Sequence, residues 1–153
     1  MVTLTEWEFY AAAQVGLARY LESIKQGLSD KHGFTDRHKT IDMDVYSALS
    51  EMVLCKYINR YWPARVNNYK EADIGKTLQV RHSLKADACL IIRKNDVANH
   101  RYALVTGEFP RFMVRGHILG SVGMQEVFLK DYNNRPDAYF VPQSQLTPFK
   151  IAT

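Results

Sequence analysis

Four polar residues in the middle of the chain could together hold a divalent metal ion beside a phosphate: Glu51, Asp73, Gln79 and Arg81. Gln79 and Arg81 are two positions apart, so on a strand they project from the same side of the sheet. Mg²⁺ prefers carboxylate and carbonyl oxygens, and a nearby cation stabilises charge that develops when metal-bound water attacks a phosphate. The pattern indicates a hydrolytic site in which Glu51, Asp73 and Gln79 bind Mg²⁺ or Mn²⁺.

The element that must position Glu51 is a helix predicted to start near Asp42 or Asp44, both good N-caps. It runs through Ile58 and cannot extend far because of Pro63. The helix is apolar nearly all round, which predicts burial on more than one side. None of the residues three or four positions from Glu51 is a cation, so a buried carboxylate there needs a partner from elsewhere in the fold.

An earlier helix is predicted from a capping box, in which Thr5 and Glu8 are spaced Thr-x-x-Glu. Apolar residues then recur at helical spacing, and Gly27 is a plausible stop. Residues 28–41 are polar and contain glycine, which predicts a loop.

The second half of the chain is typical of strands, because short apolar or alternating runs are separated by turn residues. The predicted strands cover residues 77–81, 88–93, 102–106, 111–118 and 139–141. We expect a hairpin connection at 83–87, a turn at 107–110 and a short helix at 124–129, with 88–93 as a central strand. The chain is predicted to be one α+β domain, with N-terminal helices packed on a mostly antiparallel or mixed sheet.

Composition limits the class of protein. A length of 153 residues fits one domain. The net charge of +4 permits nucleic-acid contact without demanding it. Cys55 and Cys89 lie in apolar segments and are predicted to be buried, reduced thiols. No apolar run reaches the roughly 20 residues of a membrane span, and the N-terminus lacks signal-peptide features. We therefore expect a cytoplasmic protein with no membrane partner.

A second candidate surface lies at the end of the second predicted helix, where Arg60, Trp62 and Arg65 follow one another with Tyr61 between them. Guanidinium groups beside aromatic rings can bind phosphates and stack on bases, which predicts a nucleic-acid-binding patch. Aromatic residues at a helix end also commonly close a hydrophobic core, and the sequence leaves both interpretations open.

Several segments resemble a family of uncharacterised proteins encoded by bacteriophages, over about residues 45–146. The matching segments are Ala-Leu-Ser-Glu at 48–51, Lys-Tyr-Ile-Asn-Arg-Tyr-Trp at 56–62, Ala-Asp-Ile-Gly at 72–75, Gln-Val-Arg at 79–81, Leu-Val-Thr-Gly at 104–107, Val-Arg-Gly-His-Ile at 114–118 and Tyr-Phe-Val-Pro-Gln-Ser-Gln-Leu at 139–146. That family in turn resembles a distant branch of the PD-(D/E)xK nuclease superfamily.

The resemblance implies a restriction-endonuclease-like core over residues 42–146, preceded by a helix and loop over 1–41. It also implies DNA as the partner, Mg²⁺- or Mn²⁺-assisted phosphodiester hydrolysis, a homodimer, and the cytoplasm of a phage-infected bacterial host. Glu51 would match the helix Glu of the superfamily and Asp73 its metal-binding Asp. Gln79 stands where the second carboxylate is expected and Arg81 where the lysine is expected.

These two departures weaken the implied chemistry. Gln79 keeps an oxygen ligand but removes a negative charge from the metal site. Arg81 keeps a cation but cannot act as a base, because guanidinium stays protonated; it can still hold a phosphate bidentately. An alternative is therefore a catalytically inactive module of the same fold that binds nucleic acid or protein.

Each candidate residue also has an ordinary structural interpretation. Glu51 could be a buried carboxylate paired with an arginine, and Asp73 could stabilise a turn. Gln79 and Arg81 could form the polar face of a strand. A third hypothesis is accordingly a phage structural or interaction protein that binds no nucleic acid.

Overall fold

The computed structural model describes residues 1–26, 37–66, 71–132 and 135–151, of which 37–40 and 132 are described by their backbone alone. The elements are β1 (Val2–Thr3), α1 (Glu6–Lys25), α2 (Arg37–Tyr57), β2 (Leu78–Ser83), β3 (Leu90–Arg93), β4 (Arg101–Glu108), β5 (Arg111–Leu119), α3 (Gly120–Gly123), β6 (Leu129–Tyr132) and β7 (Arg135–Val141). The predicted α+β class is confirmed.

The strands form two sheets. One sheet has the order β1-β5-β4-β2, in which β2 runs parallel to β4 and the other pairs are antiparallel. The other sheet has the order β3-β7-β6 and is antiparallel. The helix α2 packs on one face of the first sheet, α1 packs on α2, and the second sheet lies on the opposite face.

The strand β4 lies at the centre of this arrangement and is buried on both faces. Ala103 and Val105 pack in the cluster that includes the helices, while Tyr102 and Leu104 pack in the cluster that includes β3 and β7. This alternation follows from the two-residue period of a strand. The strand β4 therefore separates two hydrophobic cores. We call the core on the side of the helices the first core and the core on the side of β3 and β7 the second core.

The helix α1 begins at the predicted capping box. Thr5 Oγ1 accepts a hydrogen bond from the Glu8 backbone N–H at 3.2 Å, and Glu8 Oε2 accepts one from the Thr5 N–H at 2.7 Å. The helix crosses α2 closely at Gly16, where an added Cβ would lie 2.5 Å from the Cα of Val45. Glycine at this position lets the two backbones approach, so α1 packs firmly on α2.

The helix α2 starts at Arg37, earlier than the predicted start at Asp42 or Asp44. Nothing in residues 37–44 breaks a helix, so the two aspartates lie within it instead of capping it. The expected loop at 28–41 is therefore wrong for residues 37–41, while 28–36 and the predicted stop at Gly27 lie outside the described residues. Among the described residues, neither long helix has an apolar stretch that could cross a bilayer.

The predicted hairpin at residues 83–87 is wrong, because β2 and β3 belong to different sheets. The strand β3 is an edge strand paired with β7, and not a central strand. The side chains of Leu90 and Ile92 explain this placement, since both are fully buried against Val141 and its neighbours in the second core. Burial of that apolar face separates β3 from β2.

The remaining strand predictions are mostly confirmed. The turn predicted at 107–110 is present but shorter, since β4 runs to Glu108 opposite Arg111 and only residues 109–110 form the turn to β5. The last strand is longer than expected, and the predicted helix at 124–129 is a single 3-10 turn at Glu126–Phe128 followed by β6.

The two cysteines differ in burial. Cys55 is buried as predicted, and burial together with the charge of Glu51 raises the pKa of its thiol to about 11. Cys89 is only partly buried, so the prediction for that residue is wrong.

Candidate functional site

Glu51 is held in a buried ion pair with Arg19 of α1. Arg19 Nη1 lies 2.7 Å from Glu51 Oε1, and Nη2 lies 2.8 Å from Oε2, so the pair is bidentate. The side chains are 2% and 11% exposed for Glu51 and Arg19. Trp62 Nε1 donates a further hydrogen bond to Glu51 Oε2 at 3.3 Å, and Arg19 Nε donates to the Arg65 carbonyl at 2.8 Å.

This ion pair joins parts of the chain that are distant in sequence: α1, α2 and the segment that follows α2. Burial alone lowers the pKa of the Arg19 guanidinium, but the hydrogen bonds and charge of Glu51 outweigh burial and raise it. The partner that Glu51 was predicted to need is therefore Arg19. The structural interpretation of Glu51, a buried carboxylate paired with an arginine, describes its observed contacts.

Asp73 lies at the outer edge of β2. Its Oδ2 accepts a hydrogen bond from the Val80 backbone N–H at 2.7 Å, so the side chain caps the edge of β2 that faces away from β4. Burial is the largest cause that raises the pKa of Asp73, to about 6, and the charge of Glu51 adds to it. The Val80 N–H and the charges of Arg81 and Arg19 oppose this rise.

Gln79 and Arg81 project from the face of the first sheet opposite the helices. Gln79 lies beside Tyr102 and Arg81 beside Leu104 in the parallel register, and both of those residues belong to the second core. Arg81 Nη2 lies 2.9 Å from Asp96 Oδ2, and its guanidinium carbon lies 5.1 Å from the Tyr102 ring centroid.

The amide of Gln79 is likewise engaged. Its Nε2 lies 3.3 Å from His100 Nδ1 and 3.5 Å from the Glu71 carbonyl oxygen. Gln79 thus points toward the loop residues at the start of β2 and β4, and away from Glu51 on the helix side of the sheet.

The structure therefore groups the four candidates only in part. Asp73 at the sheet edge interacts electrostatically with Glu51 and Arg19 on the helix side, and with Arg81 on the other side. Glu51 and Gln79 lie on opposite faces of the first sheet. Glu51 and Asp73 are close enough to interact electrostatically, but the four side chains do not line a common face of the sheet.

The observed donor atoms fit a magnesium ion poorly. Both oxygens of Glu51 already accept from the Arg19 guanidinium, and one oxygen of Asp73 accepts from the Val80 N–H. Within residues 1–26, 37–66, 71–132 and 135–151, no three His, Cys, Asp or Glu side chains are grouped so that they could hold a metal. Metal ligation by Glu51 would require it to leave Arg19.

An open cavity of about 350 Å³ lies beside this cluster. Its lining residues are Arg65, Glu71, Ala72, Gly75, Lys76 and His100. Arg65 Nη1 forms an exposed ion pair with Glu71 Oε2 at 2.9 Å. Arg60 approaches the rim, since its Nη1 lies 3.9 Å from the position of a Cβ added to Gly75.

The two aromatic residues between Arg60 and Arg65 differ from each other in their exposure. Trp62 is partly buried against the first core and donates its N–H to Glu51. Tyr61 is 90% exposed. Of the two rings, Tyr61 is the one open to a stacking partner.

Sequence reasoning missed Arg19, Lys76 and His100. A signal for Arg19 did exist: it lies three and seven positions after Gly16 and Ala12, both buried in α1, so it faces α2. Lys76 and His100 carried no signal, because only the parallel pairing of β2 with β4 brings residues 76 and 100 to one cavity.

No protein-family model, curated protein or solved structure matches the chain. The resemblance to phage proteins and to the PD-(D/E)xK superfamily therefore stays a prediction, and the geometry alone supports the functional argument that follows.

We predict that Arg19→Met lowers the free energy of unfolding by about 3–5 kcal/mol, because it leaves the buried Glu51 carboxylate without its cation. Urea denaturation measures this change. The matched control is Lys94→Met, which removes a cation from the exposed pair with Asp137 and should cost less than about 1 kcal/mol. Equal losses in the two variants would contradict the assigned role of Arg19.

Asp73→Asn should make stability less dependent on pH. The folded pKa of about 6 exceeds the ordinary value of 3.8, so the fold favours the protonated acid, and this stabilisation is lost as pH rises from about 4 to above 6. The neutral amide keeps an oxygen for the Val80 N–H. We expect the variant to be more stable than wild type by roughly 1–3 kcal/mol at pH 7.5 and nearly equal at pH 4.

Thermal or urea unfolding at both pH values measures the effect, with the exposed Asp87→Asn as control. A stability difference between wild type and Asp73→Asn that is the same at pH 4 and pH 7.5 would contradict the raised pKa of Asp73.

Proposed function

We propose that the protein binds DNA through phosphate contacts at the cavity face, defined as Arg60, Tyr61, Arg65, Lys76 and His100. The supporting observation is that Arg65 and Lys76 line an open cavity and Arg60 approaches its rim, with Glu71 as the acidic residue of its described lining. Phosphate contacts supply most of the affinity of proteins for nucleic acid. This surface includes Arg60 and Arg65, two residues of the patch that the sequence predicts.

The Arg65 guanidinium can leave Glu71 and bind a ligand with little loss of stability. The Arg65–Glu71 pair is solvent-exposed, with side chains 38% and 65% exposed, and such pairs contribute little to stability. Opening it would free a guanidinium for bidentate binding to a phosphate. The backbone of Arg65 stays in place meanwhile, because its carbonyl accepts from Arg19.

Tyr61 adds a contact for bases. Its ring is exposed next to Arg60 on the same segment, and an exposed aromatic ring beside cations can stack on an unpaired base. This combination supports binding of single-stranded or locally opened DNA in preference to a fully paired duplex.

Binding without catalysis is favoured over hydrolysis by the contacts of the four candidate residues. Glu51 is paired with Arg19, Asp73 caps β2, Gln79 contacts His100, and Arg81 is paired with Asp96. A site whose members are satisfied within the fold has to be disrupted before it can bind a metal. The supported function is that of a catalytically inactive DNA-binding module.

The test is fluorescence anisotropy with labelled single-stranded and duplex oligonucleotides over a series of salt concentrations. The triple variant Arg60→Gln, Arg65→Gln, Lys76→Gln should weaken binding, and the slope of log K against log[salt] should become shallower by roughly two to three. Chelation of divalent ions should leave binding unchanged.

The matched control removes three exposed cations from other surfaces: Lys85→Gln, Arg111→Gln, Lys130→Gln. It should change the salt slope by much less. The proposal fails if wild type binds neither oligonucleotide at low salt, or if the two triple variants lose the same affinity.

A second candidate is metal-dependent hydrolysis of DNA, and one observation favours it. Glu51 lies close enough to Asp73 that its charge contributes to raising the pKa of the Asp73 carboxyl group. Two neighbouring carboxylates are a common feature of Mg²⁺ and Mn²⁺ sites, and Gln79 and Arg81 follow Asp73 in the order that the superfamily resemblance implies.

The test of hydrolysis is cleavage of radiolabelled DNA with Mg²⁺ or Mn²⁺ by wild type and by Asp73→Asn. Under this second candidate, wild-type cleavage depends on the metal and falls at least about 100-fold in the variant. Because the four side chains are engaged within the fold, we expect no cleavage above background from either protein. Metal-dependent cleavage that Asp73→Asn abolishes would show instead that the protein is a nuclease.

A further inference from the structure

The outward face of α1 carries a row of large apolar side chains in contact with solvent. We call this row the outer stripe: Trp7, Tyr10, Gln14, Leu17, Leu21 and Ile24. Its apolar members are 81%, 57%, 46%, 48% and 54% exposed, in that order. Apolar surface of this extent on one face of a helix commonly marks an interaction site.

The outer stripe is distinct from the face by which α1 packs on its own chain. That inner face carries Ala12, Gly16 and Arg19, which lie against α2. At about 100° per residue, the two faces lie on nearly opposite sides of the helix. An ordinary surface helix has one apolar stripe, turned to the core, and a polar face turned to solvent. In α1 large apolar side chains lie on the outward face as well, while the inner face already packs on α2.

The spacing within the outer stripe is that of a coiled coil. The steps from Trp7 to Ile24 alternate between three and four residues, which is the a/d pattern of a heptad repeat. A seam with this 3.5-residue period packs side by side with another helix of the same period. Gln14 is the single polar residue of the seam.

We propose that a second copy of this chain covers the outer stripe, with the two α1 helices antiparallel. In this arrangement Trp7 lies opposite Ile24 of the second copy and Tyr10 lies opposite its Leu21, so each aromatic ring meets an aliphatic side chain. Gln14 lies opposite Leu17. The two-fold axis then passes between these central residues, and the interface is self-complementary, as a symmetric dimer requires.

Charge favours the antiparallel arrangement. The first turn of α1 carries Glu6 and Glu8, and its last turn carries Lys25. Antiparallel pairing places Glu6 at the level of Lys25 of the second copy, whereas parallel pairing would place the acidic turns together. The dipoles of two antiparallel helices attract each other, which also favours this arrangement.

The size of the stripe is adequate for a dimer. From Trp7 to Ile24 it extends roughly 25 Å along the helix. Its large side chains, two of them aromatic, offer on the order of 600 Å² per copy, close to the about 800 Å² per partner of a standard interface. Flanking residues of the helix would supply the remainder.

The first experiment is sedimentation equilibrium of the full chain at micromolar to millimolar concentration. We expect a species of twice the 17.6 kDa of one chain. Leu17→Glu with Leu21→Glu should raise the dimer dissociation constant by about 100-fold or more. The matched control, Val122→Glu with Val127→Glu, charges two valines that are 46% and 75% exposed outside α1 and should leave the dimer intact.

The second experiment tests the orientation, in a Cys89→Ser background. Chains with Tyr10→Cys and chains with Leu21→Cys should form a disulfide-linked dimer when mixed and oxidised, while neither should do so alone. A wild-type chain that stays monomeric at all concentrations would overturn the proposal, as would cross-linking of each variant with itself. Circular dichroism of the Glu variants checks that their helices are retained.

Discussion

The buried ion pair between Arg19 and Glu51 is the interaction on which the arrangement of the helices and the cavity depends. Removing two charges from water costs free energy, and the pair is tolerable only if its donors and acceptors are satisfied. Here Nη1 and Nη2 of Arg19 bind the carboxylate, Nε binds the Arg65 carbonyl, and Trp62 completes the shell of Glu51. One guanidinium therefore fixes α1, α2 and the segment that forms one wall of the cavity.

The double-sided burial of β4 is the second constraint, and it decides which functional residues can meet. Because β4 separates two cores, residues of its neighbour β2 alternate between the helix side and the side of the second sheet. Asp73 lies at the edge of β2, so it interacts both with Glu51 and Arg19 on the helix side and with Arg81 on the other side of the sheet. Arg81 is drawn to Asp96 and Tyr102 on the far side, so the first sheet stands between it and Glu51.

Local patterns predicted the parts of this fold that local interactions determine. The capping box at Thr5, the turn before Arg111 and the need of Glu51 for a distant cation were all readable in the sequence. The identity of that cation, the parallel pairing of β2 with β4 and the cavity beside Lys76 were not, because each joins residues far apart in the chain. The early start of α2 was missed because Asp42 and Asp44 are typical N-cap residues, and here they lie inside the helix, beyond its first turn.

A double-mutant cycle between Arg19 and Glu51 tests the central claim most directly. The free energies of unfolding of Arg19→Met, Glu51→Leu and the double variant would be compared with that of wild type in urea. A fully buried, bidentate pair predicts that the double variant is more stable than the sum of the single losses implies, by about 2–3 kcal/mol. Losses that add within about 0.5 kcal/mol would mean that the two residues act independently, and would contradict the account.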